Sequence, residues 1–220
     1  MKENVLILSK TQMSDNKVCV GGLTLNGRYV RLLDREGNNQ PQNTDLAPRQ
    51  AWEIEFKERL NIVPPHVEDV LVQNRISKGL LKGDVTIKSF IKNKNIPIWQ
   101  GPPDALFNRL IKWTQNGRGY IDHEGGIPNH SVGFWLNDKD LERDDFNGIR
   151  YHYPCLNGRR SLKFKGTENP VNTLPAGTLL RVSLARWIAF AEGETPKCWL
   201  QLSGWYDLGE QPQREDGLPF

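Results

Sequence analysis

Two short stretches concentrate the groups that can move protons or hold a metal ion. "PPHVEDV" carries His66, Glu68 and Asp69, and "IDHEGG" carries Asp122, His123 and Glu124. Carboxylates beside an imidazole suit a hard cation or a shared acid–base role. Neither stretch has the spacing of a known metalloenzyme motif. The plainer reading is a turn in which these side chains bond the backbone. The chain has no P-loop, no GxSxG and no GxGxxG. Cys19, Cys155 and Cys198 form no CxxC, and no HxxxH occurs, which disfavours zinc. An odd cysteine count argues against a disulfide framework, so the cysteines read as reduced core residues of a cytoplasmic protein. The expectation is no cofactor and no catalytic residue, with His66, Glu68 and Asp69 as the candidates should a metal bind.

Positive charge is the other chemical signal. The net charge is only +3, but it is unevenly spread. Arg150, Arg159, Arg160, Lys163 and Lys165 occur with no acid among them, directly after the acidic "DKDLERDD". A basic strand pair of this kind suits a polyanion. Two readings stand: a bound nucleic acid, or the acidic segment folding back to neutralise the patch.

These residues are positioned by strands. "NVLILSK" reads as a buried strand, and "AWEIEFKERL" alternates Trp52, Ile54 and Phe56 with Glu53, Glu55 and Lys57. Two Asn-Gly dipeptides between strand formers predict two-residue hairpin turns. In the first, Asn26-Gly27 sets Thr24 opposite Tyr29 and Gly22 opposite Arg31. An aromatic, a guanidinium and open backbone then share a face on which a base and its phosphate fit, with Arg28 beside them. A barrel bend at Gly21-Gly22 explains the glycines equally well. In the second, Asn157-Gly158 sets Tyr151 opposite Phe164 on a core face, and His152 opposite Lys163 with Arg150 opposite Lys165 on the other. The last two strands, "LLRVSLARW" and "CWLQLSGWY", pair a leucine-rich core face against a face holding Arg181, Trp187, Trp199 and Trp205. That many tryptophans on one polar face suit base stacking, a seam between lobes or a subunit interface.

Between the strands, residues 77–130 read as a helical insertion. Leu106, Phe107, Leu110, Ile111 and Trp113 recur at helical spacing, and Gly117 sits where a helix ends. The domain expectation is therefore a first barrel over 1–76, the insertion over 77–130, and the remaining strands with a second barrel over 131–220. No apolar run is long enough to span a membrane, and the first ten residues lack a signal-peptide cleavage site.

"KVCVGGLTLNGRYVRLL", "PPHVEDVLV" and "RVSLARW…CWLQLSGWYDL" resemble the dual OB-fold (duOB) proteins, and the likeness spans about residues 3 to 208. The resemblance implies a mainly β chain with two OB-like barrels, and a nucleic-acid binder associated with prokaryotic conflict and anti-phage gene neighbourhoods. OB barrels bind single strands on the face of their second and third strands. The expected ligand is single-stranded or structured RNA or DNA. The expected contacts are Arg28, Tyr29, Arg31, Arg150, His152, Arg159, Arg160, Lys163 and Lys165, with Trp199 and Trp205 stacking. The role expected is an accessory or sensing component of a defence system. Two competing readings are a module that recruits a nuclease or helicase encoded in the same operon, and a metal-dependent nuclease built from the acidic clusters.

Overall fold

A computed structural model of the chain describes residues 1–81, 86–156 and 158–206. The first six strands are β1 (Lys2–Gln12), β2 (Lys17–Thr24), β3 (Tyr29–Leu33), β4 (Gln40–Pro41), β5 (Gln50–Glu58) and β6 (Asp69–Leu80). β1 pairs antiparallel with both β2 and β5, β3 pairs antiparallel with β2, and β6 closes the ring, antiparallel to β5 and parallel to β3. The result is a closed five-stranded barrel. Val5, Ile7, Val20, Leu32, Ile54 and Phe56 fill it, and are all essentially inaccessible. Alternation along β5 falls as the sequence predicts, with Trp52, Ile54 and Phe56 inward. Burying such side chains contributes roughly 1.5–3 kcal/mol each.

The first hairpin corrects the expected register. Thr24 and Arg28 flank a three-residue loop, with Gly27 at φ +85° and its N–H donating to Thr24. Gly21 therefore faces Arg31, and Leu23 faces Tyr29. One added loop residue moves each pairing by one position and changes which side chains share a face.

The middle of the chain holds α1 (Ile87–Asn93), β7 (Ile98–Gln100), a 3-10 segment (Pro103–Arg109), β8 (Lys112–Trp113) and β9 (Gly119–Ile121). Thr86 caps α1 by accepting from the Ser89 N–H at 3.0 Å. The longer helix expected over 104–116 does not form. Phe107 and Asn108 adopt positive φ, and Gly117 turns the β8–β9 hairpin at φ +72°. Leu106, Phe107 and Ile111 are still buried, but against the second barrel. Their apolar spacing reflects that tertiary contact, not a helix face. No helix among the described residues is long and apolar enough to cross a membrane.

The second barrel comprises β10 (Val132–Leu136), β11 (Leu141–Asp144), β12 (Arg150–Cys155), β13 (Gly158–Phe164), β14 (Thr173–Leu174), β15 (Leu179–Leu184) and β16 (Cys198–Tyr206). β12 lies between β11 and β13, β13 runs parallel to β16, and β15 joins β16 to β10. With β10 and β11 as two halves of one interrupted first strand, the order of pairings is that of the first barrel. The second hairpin is also shifted: Tyr151 faces Leu162, Arg150 faces Lys163 and His152 faces Ser161. The predicted turn residue Asn157 lies outside the described residues. A shift of two leaves Tyr151, Tyr153, Leu162 and Phe164 on the core side as expected. In β16 a bulge intervenes, since Val182 pairs with Leu202 but Arg181 pairs with Gly204. Beyond it the side chains exchange faces, so Trp205 packs inward against Phe164 and Tyr151.

The barrels meet through an apolar seam. Leu6, Leu8 and Leu23 of the first pack with Phe134, Leu179 and Tyr206 of the second, and with Ile87 and Ile91 of α1. Backbone bonds join the end of β1 to residues 165–167, at 2.9 Å from Gln12 N to Lys165 O and 3.1 Å from Thr167 N to Lys10 O. Buried Arg181 donates to Ser203 at 2.9 Å. A Cβ at Gly21 would come within 2.5 Å of its Nη2, so this glycine makes room for a side chain of the other barrel.

Candidate nucleic-acid interface

The "HVED" stretch closes the seam electrostatically. Glu68 accepts hydrogen bonds from both the N–H and the hydroxyl of Ser131. Arg31 donates to the Ser131 hydroxyl at 2.9 Å and lies 3.2 Å from Asp69 and 3.5 Å from Glu68. Asp69 Oδ2 also receives Arg59 at 2.8 Å and Arg186 at 2.6 Å. Burial opposes its ionisation, but Arg31, Arg186 and Arg59 hold the Asp69 carboxyl below its ordinary range. His66 Nε2 bonds the Leu184 carbonyl at 3.2 Å. Burial first, then Arg31 and Arg186, push His66 down to about 4. The two carboxylates are taken up by Ser131 and the arginines, and among the described residues no three His, Cys, Asp or Glu are placed to hold a metal ion. In the second acidic stretch, Asp122 pairs with Lys112 at 2.8 Å, and His123 stacks on Trp187 at 4.1 Å.

The face of β2 and β3 expected to bind nucleic acid in the first barrel is largely covered. Arg31 is buried in the ion-pair cluster. Tyr29 packs on Phe134 and His130 of the second barrel, and burial raises its phenol pKa. Arg28 forks onto Glu58 through two bonds of 2.7 Å.

The basic hairpin of the second barrel divides. His152 bonds Asp144 at 3.0 Å, Arg159 lies 3.6 Å from the same carboxylate, and Arg160 donates to Asp104 at 3.0 Å. Part of the acidic segment therefore does fold back. Arg150, Lys163 and Lys165 lie elsewhere. With Arg118 they line a groove of about 260 Å³, together with Trp199 and Phe190. Its floor is the outer side of β12, β13 and β16, including Ser161 and Gln201, and its wall is the 185–197 loop. No lining residue is acidic among the described residues. Among the described residues none of the four cations forms an ion pair. Burial and then Lys165, Arg150 and Arg118 lower the Lys163 pKa, and burial and Arg118 lower that of Arg150. Like charges gathered in this way, with Lys163 and Arg150 held down, stand ready for an anion.

Arg118 stacks over Trp199 at 4.3 Å, and Phe190 lies 5.9 Å from the same ring. Sequence patterning gives no reason to group Arg118 or Phe190 with the hairpin. Arg118 arrives because the Gly117 turn docks on β13, where Ser161 N donates to Gly117 O at 2.7 Å. The groove wall is strapped to the first barrel: Trp187 Nε1 donates to Pro64 O at 2.8 Å, beside the Arg186–Asp69 pair.

The sequence profile of the dual OB-containing domain matches residues 3–205. The chain belongs to that family. The match takes in both barrels of this dual OB domain but for Lys2 at the start of β1 and Tyr206 at the end of β16. No curated protein and no solved structure matches the chain. Within the dual OB domain, the groove lies on the second and third strands of the second barrel, the face that OB barrels use for oligonucleotides.

Proposed function

We propose that this dual OB domain binds single-stranded nucleic acid along the outer face of its second barrel, without catalysing its cleavage. The observation that carries this reading is the convergence of Arg118, Arg150, Lys163 and Lys165 on one groove with no acidic lining among the described residues. Phosphates would meet the four cations. Bases would stack on Trp199 and Phe190, an interaction worth about 1–3 kcal/mol per base. From the resemblance we further infer that the protein serves as an accessory or sensing component of a prokaryotic defence system, in the cytoplasm. A recruitment module would draw support from a shared tryptophan face. Here Trp199 faces the groove, Trp187 the seam and Trp205 the core, which favours the nucleic-acid reading.

The test is filter binding of a short labelled oligonucleotide at two salt concentrations. Lys163→Glu with Lys165→Glu is expected to abolish binding. Affinity unchanged in that variant would remove the assignment, whereas metal-dependent loss of the labelled strand would favour a nuclease.

A further inference from the structure

The 185–197 loop separates two basic concavities. Ala185 lines the groove, but the next residue, Arg186, lines a second cavity of about 250 Å³. Lys17, Arg59 and Arg186 border this cavity with Asn38 and Asn39, and among the described residues Asp15 is its only acidic lining residue. It lies at the junction of the barrels, outside the strand surface described above.

Its charge is under-compensated. Arg59 and Arg186 both donate to one oxygen, Asp69 Oδ2, while the other oxygen of Asp69 lies 3.2 Å from Arg31. Glu68 shares only Arg31, so two carboxylates serve three guanidinium groups, and Arg59 and Arg186 have Asp69 alone among the described residues. Each guanidinium has five N–H donors, and Arg59 and Arg186 each direct one at Asp69. Their side chains remain 37% and 44% exposed. Among the described residues, Lys17 has no carboxylate partner. Two planar forks held together by a buried carboxylate, with an ammonium and two amides nearby, form a donor set for a tetrahedral oxyanion.

We propose that this cavity is a second site, which takes a phosphate group independently of the groove. The phosphate can come from a strand already lying in the groove or from a free phosphate. The test is a titration of the full chain with inorganic phosphate, against chloride at equal ionic strength, read by backbone amide NMR shifts. Saturable shifts are expected at residues 14–17 and 37–39. Lys17→Ala, which leaves the buried ion pairs intact, should weaken them roughly tenfold, the size of one charge-assisted contact. Arg59→Met should weaken them further. Lys163→Gln with Lys165→Gln should leave them unchanged, which separates this site from the groove. Displacement of phosphate by a 5′-hydroxyl oligonucleotide would identify the strand as the source, and lack of displacement would identify free phosphate. Absence of saturable shifts, or shifts that persist in Lys17→Ala and Arg59→Met alike, would overturn the site.

Discussion

Neutralising Lys163 and Lys165 to glutamine should weaken binding and leave the fold at least as stable. Arg150 lies directly across the strand pair from Lys163, and Lys165 and Arg118 add to the repulsion. Relieving one like-charge cross-strand pair contributes a few tenths of a kcal/mol, so the melting temperature should hold or rise slightly. Binding should move the other way. A single strand releases about 0.7 counterion per neutralised phosphate, so four engaged cations give a log–log salt slope near about −2.8, and two give about −1.4. Between about 50 and 200 mM salt, the parent protein should lose roughly 50-fold in affinity and the variant only about sevenfold. Fluorescence anisotropy with a labelled oligonucleotide measures both slopes, and calorimetry measures the melting temperature. Equal slopes would refute the claim that these lysines meet phosphates. A lowered melting temperature would refute the claim that they repel their neighbours in the unliganded fold.

Arg31→Met should destabilise the protein by roughly 3–5 kcal/mol in urea unfolding, because Glu68 and Asp69 lose a buried partner. Its oligonucleotide affinity, measured where it remains folded, should match the parent; a selective loss of affinity would return Arg31 to the binding surface. His66, held down to about 4 in the fold, takes up its proton first in the unfolded chain. Stability should therefore fall as pH drops from about 6.5 to 4, by roughly 3 kcal/mol, with no further loss from this group below that. His66→Gln should flatten that window relative to the parent in pH-dependent denaturation; His152, also held down mainly by burial, contributes equally to both proteins. Gly117→Ala places a Cβ 2.0 Å from the Arg159 carbonyl at positive φ. It should displace the β8–β9 turn and weaken oligonucleotide binding through Arg118; full affinity at parental stability would show that Arg118 is not part of the site.

The strands and both cores were legible because β-branched and aromatic residues alternate along them, as in Trp52, Ile54 and Phe56. Registers were less so. An Asn-Gly pair permits a two-residue or a three-residue loop, and in the first hairpin the choice moved Arg31 from opposite Gly22 to opposite Gly21. Alternation alone puts Trp205 on the polar face, because the bulge at Ser203 leaves no clear trace in the sequence. The fate of the charges was the least legible part. Whether an arginine meets solvent or Glu68 depends on residues that the fold brings together, and Arg31 reaches Ser131 across 100 positions. Among the described residues Lys163 and Lys165 meet no carboxylate, whereas Asp144 and Asp104 reach Arg159 and Arg160 through tertiary structure.

Strapping Trp187 to Pro64 and Arg186 to Asp69 makes the two barrels a single inheritance. A fragment holding only residues 131–206 would bare Phe134, Leu179 and Tyr206 and release the loop that shapes one side of its own groove. The first barrel also buttresses the groove, and a substitution at Pro64 or Asp69 would be felt as a change of shape at a surface that neither residue touches.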